Sequence, residues 1–372
     1  MKLGIGICNY NRSADVTLAV EAALQQTLRP DLVLVLDNAS TDDSVDELRS
    51  RFGSQIEILQ NQTNTGGAGG FSRLSQELLQ RGFDYIALLD SDAFLRPNCL
   101  EQMRRALNSY PEAGICGARI MHADQPELIQ ECGAFLDWDT ASFRLNRGDQ
   151  PFSSELPLVD FVDYVPACAL LARRETFQNV GHFDPSFFIY FDDIEWCQRA
   201  RKQGYMTLVA NQASALHKGG GKTKTNHFPT YYFWRNRIRF FLGNASNQAA
   251  INEFLLQNAT QAIATSQTLG LSNSAAIIRE ALFDALAQRY GKKDFEGIAL
   301  ELDPPSPLLL PAEYKAKTEA VEHIFAPTHA HDEIALQDPY CKRLLAKQSR
   351  KFAPVFQKHL NNVRNELASK FA

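Results

Sequence analysis

The sequence predicts an α/β fold, a mostly parallel sheet flanked by helices over residues 1–242, followed by an appended helical region over residues 243–372. Three observations carry this expectation. Short, continuously apolar runs alternate with helix-length amphipathic segments, at the spacing of right-handed parallel strand, helix, strand units. Two of the apolar runs, at 85–89 and 187–191, end abruptly in paired acids. Beyond residue 243 strand-like runs give way to segments rich in Ala, Leu and Gln.

The first expected strand covers residues 3–8, and Asn9-Tyr10-Asn11-Arg12-Ser13 is the loop at its carboxyl end. Ser13 is placed to cap a helix carrying Val16, Val20, Ala23 and Leu24 on one face, closed before Pro30. A second buried strand, 32–36, ends in Asp37-Asn38, and residues 40–44 offer caps for a helix bearing Val45, Leu48 and Phe52. The third strand covers 56–59. A glycine-rich stretch follows, Asn64-Thr65-Gly66-Gly67-Ala68-Gly69-Gly70, and then a helix to about Gln80. Glycine-rich backbone ahead of a helix can cradle a phosphate with free N–H groups, or it can be a plain flexible loop. It does not fit the dinucleotide fingerprint, because Ser72 stands where a third glycine belongs. No Lys-Ser or Lys-Thr follows to make a nucleoside-triphosphate loop.

The strand at 85–89 is apolar throughout and therefore buried on both faces. It ends in Asp90-Ser91-Asp92. Two carboxylates one residue apart on extended backbone point the same way, which favours a divalent cation between them; a solvated turn is the alternative. After a helix over 97–110 and a strand over 113–119, residues 121–157 lack periodicity and read as an irregular excursion containing Asp137, Trp138 and Asp139. A buried element spans 159–172 with a bend at Pro166. The second acidic centre is Phe191-Asp192-Asp193-Ile194-Glu195, opening a helix stopped by Gly204. Asp192 and Glu195 stand at capping-box spacing, which gives Asp192 a structural role. Asp193 is either a dipole-pairing acid or a desolvated carboxylate suited to accept a proton. A strand at 208–210 leads to His217-Lys218-Gly219-Gly220, where the histidine is either structural or a further metal ligand. The aromatic and arginine-rich stretch 231–241 reads as a packed helix with some cations free for anionic groups.

Composition bounds the rest. The 372 residues carry a net charge of −5, so nucleic acid is not the expected partner. From Cys341 onward eight basic side chains face the single acid Glu366, a net of +7 that leaves −12 for the remainder. That tail reads as a solvated helix face or as a contact for anionic lipid. Pro304, Pro305, Pro307 and Pro311 punctuate the region before it. The seven cysteines show no C-x-x-C and no regular spacing, as expected of reduced thiols. No apolar run approaches membrane-spanning length, and the first strand reaches Asn9 too soon for a signal peptide. A cytoplasmic location, at most touching the inner face of the cell membrane, is the expectation.

Six motifs taken together resemble the family 2 glycosyltransferases of the GT-A fold over residues 1–242. They are Cys8 to Arg12, Val35 to Asp42, Asn64 to Gly70, Leu89 to Asp92, Phe187 to Gly204, and His217 to Gly220. Residues 64–73 and 231–240 look most like bacterial galactofuranosyl- and rhamnosyltransferases, which build polysaccharide and cell-wall glycans. The resemblance implies a nucleotide diphosphate sugar, UDP- or dTDP-linked, as donor and a glycan or lipid-linked glycan as acceptor. It implies donor contacts from Asn9, Arg12, Asp37, Asn64, Gly66, Gly67, Arg73 and Asp90. Asp90, Asp92 and His217 would hold Mn²⁺ or Mg²⁺. Asp193 would be the catalytic base, and Tyr164, Pro166, Tyr190 and Asp192 would line the acceptor side. Where the bifunctional mycobacterial enzymes carry paired tryptophans, this chain has Tyr164-Val165-Pro166-Ala167.

One base and no enzyme nucleophile imply direct displacement with inversion. A nucleotidyltransferase shares such a sheet, but it is expected to carry a basic glycine-rich loop after the first strand, where this chain has Asn9-Tyr10-Asn11-Arg12. A non-catalytic glycan-binding scaffold would be expected to have lost the acids, and all are present.

Overall fold

A computed structural model of the chain describes residues 1–153, 155–219, 227–268 and 272–295, with short helical pieces between 358 and 366. The prolines at 304–311 and most of the basic tail lie outside the described residues. The alternation read from the sequence is present as β1 (Leu3–Asn9), α1 (Ser13–Leu24), β2 (Leu32–Asp37), α2 (Ser44–Phe52), β3 (Glu57–Gln60), α3 (Gly66–Gln80) and β4 (Tyr85–Asp90). It continues with β5 (Ala93–Leu95), α4 (Cys99–Ser109), β6 (Ala113–His122), β7 (Ile129–Glu131), β8 (Ala134–Asp137) and β9 (Ser142–Leu145). Then come β10 (Val159–Val162), β11 (Ala169–Arg173), α5 (Arg174–Val180), α6 (Asp192–Lys202) and β12 (Met206–His217), before the helices α7 (His227–Asn244), α8 (Gln248–Thr268) and α9 (Ser272–Leu286).

The sheet order is β10-β12-β6-β11-β4-β1-β2-β3, with β5 on β12, β7 on β6, and β8 and β9 as a separate pair. The half formed by β3, β2, β1 and β4 is parallel. β11 runs antiparallel between β4 and β6, so the sheet as a whole is mixed and β6 and β12 again point the same way as β4. This is the GT-A arrangement expected from the sequence. Its consequence is that the carboxyl ends of β1, β2, β4 and β12 share one edge. Residues Tyr85 to Leu89 of β4 are all buried, as a strand covered on both faces requires. Val16, Val20 and Ala23 of α1 pack into the core with Ile5, Ile7 and Leu89.

Four local expectations are corrected. Ser13 is the first helical residue rather than a cap, and its N–H is accepted by Asp42 Oδ2 at 3.1 Å. The glycines at 66–70 are the first turns of α3 rather than a loop before it. Three of the four, Gly66, Gly69 and Gly70, are pressed by neighbours that leave no room for a side chain. A Cβ on Gly66, at φ +73°, would meet the Phe188 carbonyl oxygen at 2.0 Å, and one on Gly70 would meet Cys8 Sγ at 2.3 Å. Residues 121–157 are not wholly irregular, since they supply β7, β8 and β9. The strand read at 208–210 is longer and runs through His217.

The Gly66 contact makes a direct prediction. Gly66→Ala is expected to lower stability by about 2 to 4 kcal/mol through backbone strain and overpacking. Gly67→Ala, whose Cβ would meet nothing within 4 Å, is expected to raise it by about 0.5 to 1 kcal/mol, as alanine does in a helix. Chemical denaturation of the two variants measures both; a neutral Gly66→Ala would contradict the packing described.

The described residues divide into two compact units, the first Met1–Leu136, Phe143–Gly221 and Gly291–Lys293, the second Asp137–Ser142, Lys222–Tyr290 and Asp294–Ala372. The second is built on α7, α8 and α9, with Tyr231, Tyr232, Phe240, Phe241, Ile277 and Leu282 buried. Its arginines are not the free cations expected: Arg235 and Arg237 are buried, and Arg237 donates to Ala141 O at 2.7 Å and Asn258 Oδ1 at 3.0 Å. Burial pulls the Arg237 guanidinium down to about 10. Trp138 likewise belongs to this unit, packed on Phe240 and Phe241. Among the described residues no helix is long and apolar enough to cross a membrane.

Candidate active site

The carboxyl edge of the sheet gathers the acids that the sequence separated. β4 ends in Asp90, and the turn that follows is tied down by Asp90 N–H to Cys168 O at 3.1 Å and Ser91 N–H to Cys8 O at 3.2 Å. β5 then pairs antiparallel with β12, in a register that sets Ala93 opposite His217. That register, with Lys218 N–H donating to Asp92 O at 3.1 Å, brings the histidine to the acids. His217 Nε2 lies 3.4 Å from Asp92 Oδ1 and 3.8 Å from Asp90 Oδ2. One ligand atom from each of the three falls within 4.8 Å of the others. Two carboxylates and an imidazole at that separation form an oxygen and nitrogen donor set that fits a divalent cation such as Mn²⁺ or Mg²⁺.

The electrostatics of the cluster match that fit. Asp90 is held above the usual carboxylate range, by burial first and by the Asp92 charge second. Its side chain keeps 38% of its surface exposed, so water moderates the push. Burial also pushes Asp92 upward, but the His217 hydrogen bond, with the charges of His217 and Arg12, outweighs it and leaves Asp92 below its ordinary value. For His217 the downward push of burial is outweighed by Asp92 and Asp90, leaving it raised. Arg12 Nη1 binds Asp92 Oδ2 at 3.0 Å and Asp15 Oδ2 at 3.3 Å, and the Lys218 ammonium pairs with the other Asp15 oxygen. Asp15, in the first turn of α1, therefore holds two cations beside the acids.

Asp193 enters from a different direction. It is the second residue of α6, whose N-cap is Phe191 in the left-handed conformation at φ +65°. The capping-box reading of Asp192 is corrected by that geometry: Asp192 is helical, makes no cap, and Glu195 pairs with Arg199 instead. Asp192 is buried and held well above its usual range, by burial first and Asp193 second. Asp193 accepts N–H bonds from Ile194 at 2.8 Å and from Ala167, just past the Pro166 bend, at 3.3 Å. Burial pushes Asp193 up to about 6, against these two bonds. A half-buried carboxylate near neutrality, beside the acidic cluster, is suited to take a proton. The helix that carries it is anchored by Trp196, stacked between Phe177 and Phe183 at 4.7 and 4.9 Å and donating to Gly181 O at 2.8 Å.

At the ends of β1 and β2 two buried oxygens, Asn9 Oδ1 and Asp37 Oδ1, have no hydrogen-bond partner among the described residues. Buried acceptors without donors are costly, and here they face the ligand edge of the sheet.

Residues 5–196 match the family model described as glycosyl transferase family 2. The chain belongs to that family. Among its relatives, the galactofuranosyltransferase GlfT2 of Mycolicibacterium smegmatis is 25% identical over 261 residues, 63% of this chain and 40% of the relative. The N-acetylglucosaminyl-diphospho-decaprenol L-rhamnosyltransferase of Mycobacterium tuberculosis is 26% identical over 257 residues, 58% of this chain and 81% of that one. Of solved structures, GalNAc-T7 with UDP, GalNAc and Mn²⁺ aligns at a TM-score of 0.54 and 13% identity, covering 78% of this chain and 58% of that chain, which shows a shared fold. The chain thus spans less than half the length of the galactofuranosyltransferase it matches.

In this family 2 chain the remaining expected site residues fall into two groups. Asn64 and Arg73 are struts: Asn64 Oδ1 accepts the Gly66 N–H at 2.8 Å, and Arg73 is bound to Gln60 O and Asn61 Oδ1. The start of α3 is correspondingly no open phosphate cradle, since Ala68 N–H donates to Phe188 O at 3.1 Å. Of Gly66, Gly67, Gly69 and Gly70, Gly67 alone has open space at its α-carbon. Tyr164 is buried and packs edge-on to Phe143, so its ring is not presented to solvent. Tyr190, at φ +64°, is exposed. The sequence reading missed Asn38, whose side chain ties the end of β2 to Asn61, Asn64, Thr65 and Gly66. It also missed Asp15, Gln130 and Glu131. Glu131 Oε1 is buried without a partner among the described residues, and burial, then Asp193, pushes Glu131 up to about 7.

Proposed function

We propose that this chain transfers a sugar from a nucleotide diphosphate sugar to a hydroxyl of a growing glycan or lipid-linked acceptor, by direct displacement with inversion. The observation that carries the reading is the convergence of Asp90, Asp92 and His217, with ligand atoms within 4.8 Å, on the edge of the sheet that also holds Asp193. Asn9 and Asp37 offer their unpartnered oxygens to the N–H and O–H donors of the base and ribose. Asp90, Asp92 and His217 would hold a divalent cation, which would supply positive charge against the departing diphosphate. Arg12 and Lys218, both held by Asp15, place two further positive charges on that side. The acceptor oxygen bonds to the anomeric carbon as the bond to the diphosphate oxygen breaks, and Asp193 takes the acceptor's proton. With one carboxylate in that role and no enzyme nucleophile, the anomeric configuration inverts.

The names of the relatives favour galactofuranose or rhamnose, hence UDP or dTDP as the carrier. A lipid-linked acceptor fits work at the inner face of a membrane, with the basic tail from residue 341 as an electrostatic contact. Incubation with UDP-galactofuranose and with dTDP-rhamnose, an acceptor glycan and Mn²⁺ tests the reading. Release of nucleotide diphosphate with formation of an inverted glycosidic bond is expected, and chelation should abolish it. Transfer with retained configuration would overturn the single-base mechanism.

A further inference from the structure

We infer that Gln130 is a positioning residue that fixes His217 in the tautomer able to bind a cation. The inference rests on the metal reading given above and adds to it a residue outside the ligand set. Gln130 is the middle residue of β7, a three-residue strand held against β6 through the pairs Met121 with Ile129 and Ile120 with Glu131. Its side chain reaches the end of β12, where Gln130 Oε1 lies 2.8 Å from His217 Nδ1.

An amide oxygen has no proton to give, so the ring nitrogen facing it must carry one. A neutral imidazole protonated at Nδ1 has its lone pair on Nε2. That nitrogen is the one turned to Asp92 Oδ1 at 3.4 Å and Asp90 Oδ2 at 3.8 Å. The opposite neutral tautomer would donate from Nε2 to Asp92 and could not bind a cation. It would also set the Nδ1 lone pair against the Gln130 oxygen, two acceptors at 2.8 Å. Gln130 therefore disfavours the one neutral form that closes the site. Carboxylates and carbonyls commonly orient metal-binding histidines in this way, and their removal costs about 10- to 100-fold in metal affinity.

The test is Mn²⁺ binding by the full chain, read from the electron paramagnetic resonance of free Mn²⁺, with excess UDP and separately with excess dTDP. Gln130→Leu is expected to bind Mn²⁺ about 10- to 100-fold more weakly than the unmodified chain. Gln130→Glu, whose carboxylate accepts the same N–H, should restore affinity to the unmodified level or above. Equal affinity in Gln130→Leu and the unmodified chain overturns the inference. So does a Gln130→Glu as weak as Gln130→Leu, because the oxygen acceptor would then not be what matters. No Mn²⁺ uptake by the unmodified chain with either nucleotide would overturn the metal reading itself, and the inference with it. A reading free of substitution comes from imidazole nitrogen NMR of the unmodified chain with Mg²⁺ and the bound nucleotide. Protonated Nδ1 and unprotonated Nε2 at His217 are expected, and the reverse assignment overturns the inference.

Discussion

Asp193→Asn is expected to lower sugar transfer by about 10²- to 10⁴-fold, the range that removal of a positioned general base produces. Donor-nucleotide affinity should stay near that of the unmodified chain, because Asp193 is not one of the three metal-ligating side chains, and asparagine keeps an oxygen for one of the two backbone N–H groups, Ala167 and Ile194, that the two carboxylate oxygens accept. The pH dependence follows with a definite sign. The carboxylate is the active form and its pKa is pushed up to about 6, so kcat/KM should fall below pH 6 and level off above it. Stability responds in the opposite sense. A carboxyl raised in the folded state holds its proton more tightly there than in the unfolded chain, whose value is about 4. Its contribution is therefore full below about pH 4 and lost as pH rises through the folded value. With Asp193 at about 6 and Glu131 at about 7, the metal-free protein should lose stability over pH 4 to 7. Thermal melts across that range, without and with Mn²⁺, check this. Asp193→Asn retaining transfer within about threefold would remove Asp193 from the chemistry, far short of the loss expected of a base.

Asp92→Ala is expected to abolish the metal-dependent part of nucleotide binding, a loss of at least about 100-fold in Mn²⁺ affinity, since even an outer partner of a ligand is worth 10- to 100-fold. Asp92 carries more than a ligand role. It bonds Arg12 at 3.0 Å, faces His217 at 3.4 Å, and accepts the Lys218 N–H through its carbonyl. Removing the side chain leaves the Arg12 guanidinium and the His217 ring without that partner. Asp92→Asn keeps the shape and should show the same loss of metal with a smaller loss of stability. Calorimetry of nucleotide binding with and without Mn²⁺ measures the effect, and undiminished metal dependence in Asp92→Ala would remove Asp92 from the ligand set.

The parts of the site legible in the sequence are those that a parallel sheet places automatically. Strands buried on both faces announce themselves as apolar runs, so the ends of β1, β2 and β4 could be read at Asn9, Asp37 and Asp90. What could not be read depends on register and on irregular backbone. Nothing local to His217 says that β12 extends from Met206 and pairs with Ala93 through β5. β7 has three residues, too few for a period, which hid Gln130 and Glu131 inside an apparently irregular stretch. The capping pattern at Asp192 misled because Phe191 adopts a left-handed conformation that local propensity gives no reason to expect for a phenylalanine. The glycine run looked like a phosphate cradle, yet Gly66, Gly69 and Gly70 answer to packing by Phe188, Thr65 and Cys8. Asn38 acts through partners more than 20 residues away, and Asp15 joins its near neighbour Arg12 to the distant Lys218, so no short motif marks either.

The most direct measurement is isothermal titration of the full chain with UDP and with dTDP, each without and with Mn²⁺. One of the two nucleotides should bind at least about tenfold more tightly with the metal, and the gain should vanish on chelation, as expected where a carboxylate and histidine set clamps the diphosphate. Binding of neither nucleotide, or binding of both that ignores Mn²⁺, would contradict the account of Asp90, Asp92 and His217 as its metal centre.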